Sequence, residues 1–310
     1  MLGLRSGAVV TVVADAGAHV GMGHLARCSA VAAALGERGV QVRCLGWGAN
    51  GEREVDGVRW HPLDDPADRG SPGELLLIDS YAPERDELAG GDAPLAAFHD
   101  GGEPPPGVAL VIGAGEAPPG VARLTGLEHA CLRRPYWRSA QREPAAEVGE
   151  VLVTTGAGAR GAPFAAVDVA AAVARALPGV SVHVTGGDAA PGVEAIGTPP
   201  SLDGHLEAAD LAVTAAGQTM LEALATGRPV VAAVTAENQR LQAAQAAEVA
   251  EIVEGARPEK LADAAAALAG DADRRSSLGR RAGEAVDGCG AHRVADALLA
   301  VAAARPPYNR

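Results

Sequence analysis

The segment VVADAGAHVGMGHLARCSAVAAAL carries an apolar run into an alanine-rich helical pattern, and a glycine pair with a histidine directly behind it marks the junction. Gly21 and Gly23 let the chain turn sharply there. The backbone N–H groups at the helix start stay open, in a place where the helix dipole favours negative charge. His24 stands in the first helical turn, with Arg27 and Cys28 three and four positions on, near the same helix face. Imidazole titrates close to neutrality, so a histidine here is a candidate general base, with Arg27 and Gly23 beside whatever it addresses. The competing reading is a histidine that serves only the helix start. The segment lacks both the G-x-G-x-x-G pattern and the Lys-Ser/Thr of a phosphate-binding P-loop, so it supports neither dinucleotide nor P-loop binding.

A second constellation lies in LAVTAAGQTMLEALATGRPVVAAVTAENQ. Gly217 permits a close turn at a strand end, and Gln218 and Thr219 offer amide, hydroxyl and backbone donors at the next helix start, which suits a diphosphate. Glu222, one turn on, is placed to accept both hydroxyls of a ribose, and a further strand delivers Asn238 and Gln239. In VLVTTGAGARGAPF, Gly156 and Gly158 either approach a phosphate or form a plain turn. Asp79 and Tyr81 in LLLIDSYAPERD, and His99 and Asp100 in LAAFHDGG, follow strand-like runs where acid–base groups belong, although a tyrosine packed on a loop is the commoner outcome.

The elements that must position these residues alternate. Strands are expected at Ala8–Ala14, Val40–Leu45, Leu75–Asp79, Ala96–His99 and Val108–Ile112, with a helix over His24–Arg38. The polar, proline-marked RRPYWRSAQREPAAEVGE reads as a linker, with a boundary at 140–147. The alternation then restarts with EVLVTT, a helix within Ala162–Leu177, VSVHVT, LAVTA, a helix from Gln218, PVVAAV and a helix over Asn238–Glu251. Beyond Pro258 the pattern is helical to the end. The expectation is two α/β domains, each a doubly wound parallel sheet, at 1–145 and 146–290, with a terminal helix over 291–310 packing back on the first. Such sheets bind ligands at the carboxyl ends of their strands, so two of them facing one another make a cleft.

Composition excludes several classes. The 310 residues carry a net charge of −13 and only 3% aromatic side chains, with no basic stripe for nucleic acid. Four scattered cysteines without a C-x-x-C pair give no zinc site or disulfide framework. The opening MLGLRSGAVVTVVADAG reaches glycine and aspartate too early for a signal-peptide core, and no apolar stretch is long enough to span a membrane. A cytoplasmic protein needing neither metal nor cofactor is expected, its oligomeric state open.

G-M-G-H-L-A-R-C after a strand, DSY at a strand end, GLEHACLRRPYW before the linker and AAGQTMLEALATGRPVV…AENQ, in that order, resemble the PseG/SpsG family, relatives of GT-B-type glycosyltransferases such as MurG. The likeness extends from about Val10 to Gln239. It implies a GT-B-like fold and a uridine-diphosphate sugar as substrate. The Gly217–Thr219 turn would hold the pyrophosphate, Glu222 the ribose, and Asn238 and Gln239 would lie near the sugar. His24 would activate water for attack at the anomeric carbon, with Tyr81 nearby. The chain departs from the family in carrying His99-Asp100 where paired aspartates are common. The activity expected first is therefore hydrolysis of a nucleoside-diphosphate sugar; the alternative is transfer of its sugar to an acceptor hydroxyl.

Overall fold

The computed structural model describes residues 9–17, 22–65, 75–82, 84–89, 93–137, 144–155, 164–187, 189–255 and 257–304. The chain forms two compact units, one comprising Met1–Arg134 with Cys289–Arg310 and the other Pro135–Gly288. Among the described residues no helix is long and apolar enough to cross a membrane.

The first unit runs β1 (Val9–Asp15), α1 (Gly23–Glu37), β2 (Gln41–Trp47), β3 (Arg53–Val55), β4 (Val58–Leu63), β5 (Leu75–Asp79), α2 (Arg85–Ala89), β6 (Leu95–Phe98), β7 (Val108–Ile112) and β8 (Ala122–Leu124). These strands form one sheet in the order β3-β4-β2-β1-β5-β6-β7-β8, parallel throughout except for the β3–β4 hairpin. Every residue of LLLID in β5 is buried, as a parallel strand covered on both faces requires. The order reverses between β1 and β5. In open parallel sheets such a reversal is where the connections leave for opposite faces and a ligand crevice forms at the carboxyl ends of the strands.

The second unit runs β9 (Glu150–Thr154), α3 (Ala166–Ala176), β10 (Ser181–Val184), β11 (Val193–Ala195), α4 (Asp203–Ala208), β12 (Leu211–Ala215), α5 (Gln218–Ala225), β13 (Val230–Ala233), α6 (Arg240–Ala246), β14 (Glu251–Val253), α7 (Pro258–Ala269) and α8 (Ala272–Ala285). Its sheet is parallel in the order β11-β10-β9-β12-β13-β14, with the reversal between β9 and β12. Val151, Val153, Val169, Val173, Leu211, Val213 and Val231 build a core on which α7 closes through Leu261, Ala265 and Leu268. A last helix, α9 (Gly290–Ala303), belongs to the first unit and packs on α1. Gly290 permits that seat, since a β-carbon there would stand 2.2 Å from the Ala130 carbonyl oxygen.

The chain divides at Arg134/Pro135, inside the polar segment read as the linker and ahead of the boundary expected at 140–147. Tyr136, just beyond the division, is buried. The helix expected over Asn238–Glu251 is shorter: a 3-10 turn at Glu237–Gln239 precedes α6, and the chain re-enters the sheet as β14. Val249 and Ala250, which continue the helical apolar pattern, are buried at the approach to that strand.

Candidate active site

His24 and Asp79 meet at the crevice of the first sheet. Asp79 ends β5 with no exposed surface, and His24, 11% exposed, comes from the first turn of α1. The ring Nδ1 lies 2.6 Å from Asp79 Oδ1. A carboxylate can only accept, so Nδ1 carries a proton, and in the neutral ring the lone pair then falls to Nε2. Arg27, one turn further along α1, donates to the same carboxylate twice, from Nε to Oδ2 at 2.6 Å and from Nη2 to Oδ1 at 2.7 Å. Its third nitrogen, Nη1, donates to Asp100 Oδ2 at 2.7 Å, and its guanidinium lies 4.6 Å from the Phe98 ring centroid.

Burial alone would raise the Asp79 carboxyl, but the Arg27 guanidinium and His24 outweigh it and hold the group far below the usual carboxylate range. Burial likewise opposes the Arg27 cation, yet Asp100 and Asp79 keep it charged. The Cys28 thiol, 3.6 Å from Asp79 Oδ2, is pushed well up by burial and stays neutral. The sign for stability follows from Asp79. Ionised to a lower pH in the folded chain than in the unfolded one, it contributes stability above about pH 4, and that contribution fades as pH falls towards the folded value. Urea unfolding should therefore show the stability gap between wild type and Asp79→Asn narrowing below about pH 4; a gap independent of pH contradicts the assignment.

Tyr81 follows Asp79 by two residues and is 40% exposed. Its hydroxyl donates to Asp100 Oδ2 at 2.6 Å, and its ring meets His24 edge-on, with centroids 5.0 Å apart and planes at 77°. Burial pushes the phenol up, Arg27 opposes this and Asp100 adds to it, so the hydroxyl remains a neutral donor. The loop is pinned at its root by Asp15 at the end of β1, which accepts from Ser80 Oγ at 2.5 Å and from the Tyr81 N–H at 2.8 Å. Of the pair after β6, only Asp100 joins this cluster. His99 is buried, with Nε2 3.1 Å from the Gly102 carbonyl, and burial lowers its proton affinity. Gly115 makes that seat possible, because a β-carbon there would stand 2.3 Å from the His99 ring.

In the second unit Gly217, in extended conformation, leads β12 into α5, whose first turn has no side-chain cap. Gln218 and Thr219 open that helix half-buried, and Glu222, one turn on, is 2% exposed. Gln239 is drawn to the same turn. Its Oε1 accepts from the Thr235 N–H at 2.9 Å, and its Nε2 stands 3.7 Å from where a Gly217 β-carbon would be. Asn238 is exposed beside it. The reversal between β9 and β12 thus has Gly217–Thr219 on one flank. Gly156 and Gly158, expected on the other, lie outside the described residues, as does Gly21.

Solved structures with the same architecture cover nearly the whole chain. The glycotransferase of kitacinnamycin matches with a TM-score of 0.61 and 19% identity, covering 96% of this chain and 99% of its own. Glycosyltransferase SsfS6 of Streptomyces sp. SF2575, complexed with thymidine diphosphate, matches at 0.61 and 16%, covering 94% and 99%. MurG of Acinetobacter baumannii matches at 0.55 and 15%, covering 94% and 99%. The fold is that of the GT-B glycosyltransferases. No protein-family model and no curated protein matches the chain.

Within this GT-B fold, each sheet brings part of the expected set together. His24, Arg27, Asp79 and Tyr81 form one connected cluster, whereas Gly217, Gln218, Thr219, Glu222 and Gln239 gather on the other sheet. Two members differ in kind from a substrate contact: Asp79 has no surface to offer, and the three guanidinium nitrogens of Arg27 are committed to carboxylates. Asp15 and Phe98 escaped the sequence reading. The signal for Asp15 was there in VVTVVAD, an acid closing a buried strand beside the reversal point.

Proposed function

We propose that this chain is a glycosyltransferase that moves a sugar from a nucleoside-diphosphate donor to an acceptor hydroxyl. The observation that carries the proposal is the His24–Asp79 pair at the carboxyl-end crevice of a fold shared with glycosyltransferases along nearly its whole length. Nε2 of His24 takes the acceptor proton, the acceptor oxygen attacks the anomeric carbon, and the bond from that carbon to the diphosphate oxygen breaks with its electron pair leaving on the diphosphate. Asp79 holds the Nδ1–H tautomer and offsets the charge that forms on the ring. The departing diphosphate is met by the N-terminal turn of α5 at Gly217–Thr219, where backbone N–H groups and the helix dipole stabilise the developing charge. Glu222 takes the ribose hydroxyls, with Asn238 and Gln239 towards the sugar and Gly156 at the phosphates. The PseG/SpsG-like segments support uridine as the base, and free thiols at all four cysteines fit a cytoplasmic setting.

Those same segments favour a second reading, hydrolysis, in which water replaces the acceptor hydroxyl before the same base. Incubation with a panel of nucleotide sugars, with and without alcohol acceptors, separates the two by release of nucleoside diphosphate. Transfer predicts release that depends on acceptor, and fast release in its absence supports hydrolysis. No release from any donor defeats both. Glu222→Ala should weaken binding of uridine diphosphate by about tenfold or more by calorimetry, in protein whose thermal melt confirms folding. Unchanged affinity removes the ribose assignment.

A further inference from the structure

The mechanism above leaves two charged members of the His24 cluster without a task, Arg27, 13% exposed, and the buried Asp100. A histidine bonded to a lone carboxylate is drawn towards its cationic form, which has no lone pair to act as a base. Here the carboxylate is shared. Asp79 Oδ1 faces both His24 Nδ1 and Arg27 Nη2, and Oδ2 faces Arg27 Nε. Asp100 in turn takes Arg27 Nη1 and the Tyr81 hydroxyl on one oxygen, tying the guanidinium and the phenol that flanks His24 to the same anchor. Among the described residues, the charged and titratable groups around His24 and its carboxylate are Asp79 from β5, Tyr81 from the loop after it, Arg27 and Cys28 from α1, Asp100 after β6, and Cys131, whose thiol burial pushes up to about 12. Asp15 is turned to Ser80 and the Tyr81 N–H. With Tyr81, Cys28 and Cys131 neutral, two carboxylates stand against one guanidinium.

We infer that Arg27 and Asp100 are positioning residues that set how much of the Asp79 charge His24 experiences, keeping Nε2 unprotonated and in place for the acceptor proton. Arg27 withdraws charge from Asp79, and Asp100 limits that withdrawal by binding the same guanidinium. The inference rests on reading His24 as the base and adds opposite signs for the two residues. Removing Arg27 exposes His24 to the full carboxylate and favours imidazolium, whereas removing the charge of Asp100 does the reverse.

The test pairs pH–rate profiles with ¹⁵N NMR of the histidine ring in ligand-free protein. Arg27→Met should move the acid limb of kcat/KM to higher pH, so that its loss relative to wild type is about tenfold or more greater at pH 6 than at pH 8. Asp100→Asn should move the limb the other way, to lower pH. Arg27→Lys, which keeps the charge without the fork, should restore the wild-type profile while kcat stays reduced. In the spectra, Arg27→Met should show the cationic ring persisting to higher pH, and Asp100→Asn should not. Losses of equal size at every pH, with unchanged spectra, would mean a merely structural role and overturn the inference. If Arg27→Met does not fold, Asp100→Asn and Arg27→Lys still decide it. The spectra need no substrate, so they register the charge balance even if His24→Ala should show that the base lies elsewhere.

Discussion

Replacing His24 with alanine is expected to lower kcat by about 10²–10⁴-fold, the usual worth of a positioned general base, with KM for the nucleotide sugar little changed. The split follows from the division of labour: donor affinity is assigned to the second sheet and proton removal to the first. Folding should survive the change, because alanine suits a helix better than histidine and Asp79 keeps both bonds from Arg27. Steady-state kinetics on protein with an unaltered melting temperature would check this. A variant retaining wild-type kcat would remove His24 from the chemistry.

Asp79→Asn should come close to that loss of rate, on the order of 10²–10⁴-fold, and should also cost stability. An amide can donate towards Nδ1 as well as accept from it, so the Nδ1–H tautomer is no longer enforced and Nε2 can carry the proton instead. Arg27 would keep one ionised partner, Asp100, and lose the other, so a penalty of about 3 kcal/mol is expected for a broken buried pair. Denaturant unfolding and kcat measured on the same preparation separate the two effects. Asp79→Asn with normal turnover would show that the ring needs no orienting partner. The stability loss alone would leave only a structural role.

Much of this arrangement was legible in the residues. Short apolar strands such as LLLID and LAVTA stand out because a parallel sheet buries both faces and so suppresses polar alternation. What escaped were elements whose pairing depends on distant partners. The β3–β4 hairpin is built from REV and VRWHPL, whose arginines, histidine and proline obscure any strand pattern, and β4 is defined by its pairing with β2. Likewise β8 carries Arg123 at its centre and exists by pairing with β7.

For the site, residue type and spacing pointed to His24, Asp79 and Tyr81, because Asp79 closes a strand, Tyr81 follows it by two residues and His24 opens the helix after a strand. They could not show that Arg27 would be taken up by two aspartates, since Asp79 and Asp100 are brought to it across separations of 52 and 73 residues. Nor could they show that in His99-Asp100 the carboxylate enters the cluster while the imidazole turns into the packing. Chain direction alternates side chains across a strand end, but the face that meets α1 is fixed only when the sheet is assembled.

The central claim is that His24, oriented by Asp79, removes the proton from the acceptor. A crystal structure of the protein with a non-transferable nucleotide-sugar analogue and a bound acceptor tests it most directly. His24 Nε2 is expected within about 3.2 Å of the acceptor hydroxyl oxygen, with the Nδ1–Asp79 bond intact. An acceptor oxygen seated out of reach of that nitrogen and bonded to a different base would contradict it.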